Sequence, residues 1–425
     1  MRVHFESRVV GTLDAGPVFT YEPGWLSLRG AFPVSTRMPL AAVTYGPETV
    51  APFIANLLPE SDPLVSIGRV LGTAPQDAVG LLDRIGRDTA GALSFGLPGS
   101  TAIEYRAVPT VAALERIIEE LPAKPFLAGE DGVSISLAGA QSKMGVFVDD
   151  GGAISIPIRG SPSNVILKPD IPRLHGSVEN EAFCLVLAGL CGLAAPRVRI
   201  GRAGRRRTLL VDRYDRIRQG DAWRRLHQED VCQALGLPPA LKYERNGTGI
   251  RGPGLADLFA VVRRTCDARS LLALIDLVIF NVLVGNTDAH AKNYSILIGP
   301  AGNRLAPAYD LMASAIWPSI TRNMAMAVAG KTRGEHLCAR HWRRQAEAVG
   351  LNGARLLARV EALAGTILDR MDDAVAAIDA MTGGPEPVVR DVAAEIGRRT
   401  RMILDGLRAS DDEGPSEDAA DPADV

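Results

Sequence analysis

The chain has 425 residues with 47% hydrophobic and 23% charged, enough to build two or three domains around a sizeable core. A formal net charge of −2 gives no general electrostatic reason to bind nucleic acid or anionic membrane. The start, MRVHFESRVVGTL, lacks the apolar run of a secretory signal. The longest apolar stretch, 271 to 284, is too short to span a bilayer and contains Asp276 and Asn281. Cys184, Cys191, Cys232, Cys266 and Cys338 form no CxxC pair and have no histidine at metal spacing. They read as reduced core residues in a cytoplasmic protein.

Residues 1–105 read as a small α+β unit. Alternation at Val3, Phe5 and Val9 with Gly11 as the turn predicts an opening hairpin, and Pro75 opens a short helix over PQDAVGLLDRIG. Val111, Leu114, Ile117, Ile118 and Leu121 share one helical face that Pro122 ends. Within a lobe expected at 106–226, the pattern from 133 to 215 is strand-rich, with strands predicted at 133–137, 144–148, 165–167, 197–200 and 209–211 and one helix at 180–190 interrupting it. Arg202, Arg205, Arg206 and Arg207 read as a solvated hairpin tip rather than a phosphate patch. Helical periodicity dominates residues 227–408, nearly unbroken from 351 to 407 apart from Gly383-Gly384-Pro385. Residues 409–425 are acidic and small, with no hydrophobic face, and are expected to be disordered.

The segment GNTDAHAKNYSILIGPAGNRLAPAYDL carries the chemistry. Asp288 followed five residues later by Asn293 has the spacing of a kinase catalytic loop. There the aspartate accepts the substrate hydroxyl's proton and the asparagine oxygen ligates Mg²⁺. A second hard carboxylate is then required for the metal, and Asp310 follows a β-rich run and a Gly-Pro-Ala-Gly turn. Alone, Asp288 and Asn293 would read as turn residues, as most aspartates and asparagines do, and it is their order and spacing with Asp310 that favours the site. Such a site also needs a phosphate-covering loop and a strand-borne lysine. ISLAGAQSKMGVFV places Ala138, Gly139 and Ala140 between two strand-like runs, and Lys168 ends the strand in NVILKPD. Glu181, early in the following helix, either pairs with Lys168 or serves as an acidic first turn for the helix dipole. GTGIRG at 247–252 spells GxGxxG. It follows polar residues rather than a buried strand and comes after the lysine, so it reads as a loop. No Walker A pattern is present.

The ordered set SLAGAQSK, ILKP, ENEAFC, VDRYDR, LHQEDVCQALG, GNTDAHAKN and LAPAYDL resembles the HipA-type Ser/Thr protein kinases, toxins of bacterial type II toxin–antitoxin pairs. VGTL, FIANLLPES and IGRDTAGAL resemble that family's N-terminal subdomain, so the likeness covers residues 1–405. The resemblance implies an α+β, bilobal kinase-like fold: a β-rich N-terminal lobe with an extra N-terminal subdomain, and an all-helical C-terminal lobe. It implies ATP and Mg²⁺ as cofactors, with Asp288 as catalytic base and Asn293 and Asp310 on the metal. Lys168 would contact phosphates beneath a loop of Ser136, Gly139, Gln141 and Lys143. The backbone of Asp212 and Tyr214 would hold the adenine edge, with Gln228 nearby. Ser136 takes the place of the family's autophosphorylated loop serine, and Ser134 offers a second hydroxyl. His290 is expected to be a structural hydrogen-bonding residue. The implied partners are a DNA-binding helix-turn-helix antitoxin, through which DNA is met only indirectly, and a protein substrate such as an aminoacyl-tRNA synthetase, with no membrane. The outcome would be growth arrest. Two other readings stay open: a catalytically weak protein-binding corepressor, and a small-molecule kinase sharing the Asp-x-x-x-x-Asn spacing.

Overall fold

The structure, a computed structural model, describes residues 1–96, 103–220 and 222–408. The acidic segment expected to be disordered, 409–425, lies outside the described residues. Residues 1–96 form an antiparallel five-stranded sheet, in the order Thr44–Tyr45, Phe19–Tyr21, Arg8–Leu13, Arg2–Phe5, Leu93–Phe95. The opening hairpin exists, but its turn is at Glu6 and Ser7 rather than at Gly11. Gly11 instead sits inside Arg8–Leu13, where a Cβ would come within 2.4 Å of the Thr20 carbonyl oxygen and 2.6 Å of the Phe19 ring. Close approach of the next strand, not turn formation, requires glycine there. The helix expected from Pro75 is Ala78–Ile85, capped by Asp77, which accepts from the Gly80 amide.

The second sheet has six antiparallel strands: Val198–Ala203, Arg206–Asp212, Val165–Pro169, Met144–Val148, Ile154–Ile158 and Glu104–Ala107. Glu104–Ala107 pairs with Ile154–Ile158, so an expected boundary between residues 105 and 106 cuts through a strand of this sheet. The sheet and the N-terminal unit share one apolar core: Val10, Phe53 and Leu93 belong to the same buried cluster as Met144, Val146 and Leu167. Removing that shared apolar surface from water joins the two units into one body.

Helix Ser177–Leu190 crosses to the second core, formed with Ala268–Val284, Gly353–Thr382 and Pro387–Arg408. The C-terminal lobe is mainly helical, and its expected all-helical character is corrected by strands in two places. His227–Asp230, Ser295–Ile298 and Arg304–Leu305 form a three-stranded antiparallel sheet, and Asn323–Val328 pairs with Lys331–Arg333. His227–Asp230, with the sequence HQED, lacks the apolar run that marks a strand in sequence, whereas Ser295–Ile298 is the β-rich run that precedes Asp310. All five cysteines are free, and no described helix is long and apolar enough to cross a membrane.

Candidate active site

Between the six-stranded sheet and the helical lobe lies a cleft of about 1090 Å³. Its roof is Val165–Pro169, which carries Lys168 next to its end, only 7% exposed. The lysine Nζ is 2.6 Å from Glu181 Oε1 and 2.7 Å from Asp310 Oδ1. Helix Ser177–Leu190 begins three residues before the sequence predicts, so Glu181 sits beyond the first turn and faces the lysine. The first-turn acid is Glu179, which pairs with Arg207 at 3.3 Å. Burial disfavours the Lys168 ammonium, but Asp310 and Glu181 outweigh it and hold its pKa above the ordinary value. Burial also works against the Asp310 charge, and Lys168 followed by Lys143 keeps that carboxyl well below the usual range. The pair is therefore ionised on both sides.

Asp310 takes φ +58°, a left-handed backbone that costs a non-glycine residue about 1 kcal/mol or more. Asn286 Nδ2 holds its carbonyl at 3.2 Å, and the preceding Tyr309 hydroxyl donates to the Lys292 carbonyl at 2.5 Å. The segment 286–293 is fixed from within. Asn293 Nδ2 donates to the Asp288 carbonyl at 2.8 Å, and the Asp288 amide reaches Asn286 Oδ1 at 3.3 Å. With its nitrogen committed, Asn293 has its amide oxygen left for a cation. Asp288 opens onto the cleft and accepts a hydrogen bond from the Tyr243 hydroxyl at 2.5 Å. Crowding by the walls raises its pKa; the Tyr243 hydrogen bond acts in the opposite direction. His290 bonds through its backbone, its amide donating to the Asp288 carbonyl at 2.7 Å and its carbonyl accepting from the Asn293 amide at 2.9 Å. Its Nδ1 is buried without a hydrogen-bond partner, burial lowers its pKa to about 3, and its ring meets Tyr243 edge-on at 4.9 Å.

Gly139 and Lys143 line the cleft beside Lys168. Gly139 has φ +110°, and a Cβ there would fall 2.6 Å from Lys143 Nζ, so only glycine lets that ammonium lie against the loop backbone. Burial, then the charge of Lys168, brings Lys143 down to about 8. Gln141 also lines the cleft. Ser136 and Ser134 do not reach it as exposed hydroxyls. Ser136 is 0% exposed with Oγ donating to the Leu57 carbonyl at 2.8 Å, and Ser134 is 5% exposed with Oγ donating to the Arg84 carbonyl at 2.8 Å.

The ladder between Val165–Pro169 and Arg206–Asp212 ends at the pair Val165–Asp212. The Asp212 side chain is taken by Arg199 at 2.8 Å, leaving backbone as what this position offers the cleft. Tyr214 lies 5.7 Å from Tyr309, ring to ring, and Gln228 Oε1 lines the same end, buried without a partner.

Several cleft residues escape a reading of local sequence. Glu60 pairs with Lys242 at 2.6 Å, and Lys292 Nζ donates to Asn56 Oδ1 and Asp230 Oδ2, each at 2.7 Å. Asn56 and Glu60 lie in FIANLLPES, whose polar residues are the visible signal. Lys242 and Tyr243 are the polar residues that mark 247–252 as a loop, and their place in the site has no local signature.

Comparison with known proteins agrees with this geometry. The HipA-like C-terminal domain matches residues 135–377 and the HipA N-terminal domain matches residues 1–96. A putative kinase, Y4mE, of Sinorhizobium fredii is 38% identical over 367 residues, covering 83% of this chain and 86% of that protein. The serine/threonine-protein kinase toxin HipA of Shewanella oneidensis is 32% identical over 312 residues, covering 71% of each chain. The solved complex of Shewanella oneidensis HipA, HipB and operator DNA superposes at TM-score 0.83 with 27% identity, over 95% of this chain and 97% of that one. Bilobal architecture, an ionised lysine–aspartate pair and matches at both ends of the chain lead to one assignment: the chain belongs to the HipA family of kinase toxins, with a bilobal kinase-like α+β fold.

Proposed function

We propose that this chain is an ATP- and Mg²⁺-dependent serine/threonine protein kinase acting as a growth-arresting toxin. The observation that carries the reading is the buried bridge of Lys168 between Glu181 and Asp310, facing Asp288 and Asn293 across one cleft. A charged lysine on a strand end, kept in place by a helix carboxylate, is how kinases position nucleotide phosphates. The unpartnered Gln228 Oε1 and the backbone beyond Asp212 suit an adenine edge, and the Gly139 to Lys143 loop suits the phosphates. Among the described residues no cluster of three or more His, Cys, Asp or Glu could hold a metal alone. The Asn293 oxygen and the Asp310 carboxylate make a two-donor set, which fits an ion that takes its other ligands from phosphate and water. Bound Mg²⁺ would neutralise phosphate charge. In the transfer, Asp288 accepts the proton of the acceptor hydroxyl as its oxygen bonds the γ-phosphorus and ADP leaves.

A partner antitoxin with a helix-turn-helix is supported by the relative solved with HipB and operator DNA. An aminoacyl-tRNA synthetase is the proposed kind of substrate, and Ser136 or Ser134 the proposed self-modification. The intact site argues against the corepressor reading, and no specific observation favours a small-molecule acceptor over a protein. The test is autophosphorylation from labelled ATP. Asp288→Asn should lose on the order of 10² to 10⁴ in rate, and Asp310→Ala should also collapse it, with the folded state retained in both. Full activity in both variants overturns the kinase reading.

A further inference from the structure

Tyr243 is fixed on several sides. Its ring meets His290 edge-on at 88°, Lys242 Nζ lies 5.4 Å from the ring centroid, and Lys242 is itself tied to Glu60 of the N-terminal unit at 2.6 Å. The Lys242 carbonyl also accepts from the Ala291 amide at 3.1 Å, which joins this segment to the catalytic loop. The ring's packing would be served equally by phenylalanine. The hydroxyl does something else: it donates to Asp288 Oδ1 at 2.5 Å.

A base that is to take a proton from an acceptor hydroxyl must offer that hydroxyl an oxygen lone pair. Here a lone pair of Oδ1 is already engaged by an O–H group, and O–H to carboxylate is the contact an incoming serine would make. We propose that Tyr243 is a gate on the acceptor side of the site: its hydroxyl stands where the substrate's hydroxyl must bind Asp288, and a protein acceptor has to displace it. The inference rests on Asp288 being the base. Until an acceptor arrives, the phenol keeps water from the same position, so nucleotide is not spent on hydrolysis. The anchor is supplied from a distance. Glu60 holds Lys242, and Lys242 holds the ring, so the N-terminal unit sets how readily the gate opens. Tyr243 is thus a positioning residue, acting through the carboxylate it covers.

The test uses the full chain and water as the acceptor. Phosphate release from ATP is measured for the parent, Tyr243→Phe, Glu60→Gln, Asp288→Asn and Tyr243→Phe/Asp288→Asn. A hydrogen bond to a charged group is strong enough that losing it should raise hydrolysis by at least about threefold in Tyr243→Phe. Glu60→Gln leaves the tyrosine in place and should give a smaller rise. Adding Asp288→Asn should abolish the gain. Unchanged or reduced phosphate release in both Tyr243→Phe and Glu60→Gln, with parent-like melting, overturns the gate. Phosphate found on Tyr243 by mass spectrometry of the parent also overturns it, since the residue would then be an acceptor. If the double variant hydrolyses ATP as fast as Tyr243→Phe, the base assignment fails instead, and the gate on it falls too.

Discussion

Replacing Asp88 by asparagine should cost more stability than any other single polar change in the N-terminal unit. Asp88 is 1% exposed, and its carboxylate accepts from Arg216 Nη2 at 2.9 Å, Arg225 Nη2 at 3.2 Å, Ser163 Oγ at 2.6 Å and the Ser163 amide at 3.1 Å. Arg213 Nη1 lies at 3.5 Å. Two carboxylates, Asp88 and Asp215, therefore serve three guanidinium groups, an excess of one positive charge in the buried cluster (3 − 2). Asp88→Asn raises the excess to two and leaves Asp215 alone between Arg213 and Arg216. Removing one partner of a buried ion pair costs about 3–5 kcal/mol; asparagine keeps an acceptor for Ser163, which places the expectation near the lower end, about 3 kcal/mol. Urea unfolding followed by circular dichroism measures it at neutral pH. The acid limb carries a second signature. Burial opposes the Asp88 charge, but Arg216, Arg213 and Arg225 outweigh it and hold the pKa well below the usual range. Its contribution is then present above the unfolded value near 3.8 and lost as pH falls below it, so the variant should lose less on acidification. Because Arg213 and Asp215 flank Tyr214 and bind the Thr89 carbonyl and Gly91 amide, ATP titration should also weaken. A loss under about 1 kcal/mol with ordinary ATP binding would refute the view that this cluster sets the hinge.

Lys168→Ala leaves Glu181 and Asp310 as neighbouring unpaired carboxylates and should lower ATP affinity by at least about tenfold in calorimetry; parent-like binding would remove the lysine from the site. Ser136→Asp and Ser134→Asp put a charge where Oγ now donates to a buried carbonyl, so the 134–143 segment should leave its seat and ATP binding should fall. If both variants bind ATP as the parent does and mass spectrometry finds neither serine phosphorylated, the loop is only a lid. His227 is lowered by burial to about 4 from 6.5, so the folded chain takes up this proton less readily, and stability should drop as pH falls from 6.5 toward 4, by on the order of 3 kcal/mol. Glu229, raised by burial to about 7, acts in the opposite sense between 4.5 and 7. The readout is therefore the difference between parent and His227→Gln in urea unfolding at pH 7 and 4.5: an equal change in both would sink the assignment.

What the sequence determined by itself is the part of this protein written in short, contiguous patterns. The Asp288, Asn293 and Asp310 order and the strand-borne Lys168 are legible because a loop's chemistry and a strand's alternation extend over only a few residues. The strand Met144–Val148 and the helix Val111–Glu120 are found at their expected places for the same reason. Tertiary structure decided what no local period encodes. It resolved Glu181 in favour of the lysine rather than the helix dipole, because the helix starts earlier than its apolar pattern. It moved the first turn from Gly11 to Glu6 and Ser7, since glycine's lack of a side chain serves close packing as readily as a turn. It brought Asn56 to Lys292, 236 residues away, and Glu60 to Lys242, 182 residues away. Such contacts are fixed by the burial of charges against one another once the two cores have closed, and that energy belongs to the folded arrangement rather than to any segment of the chain.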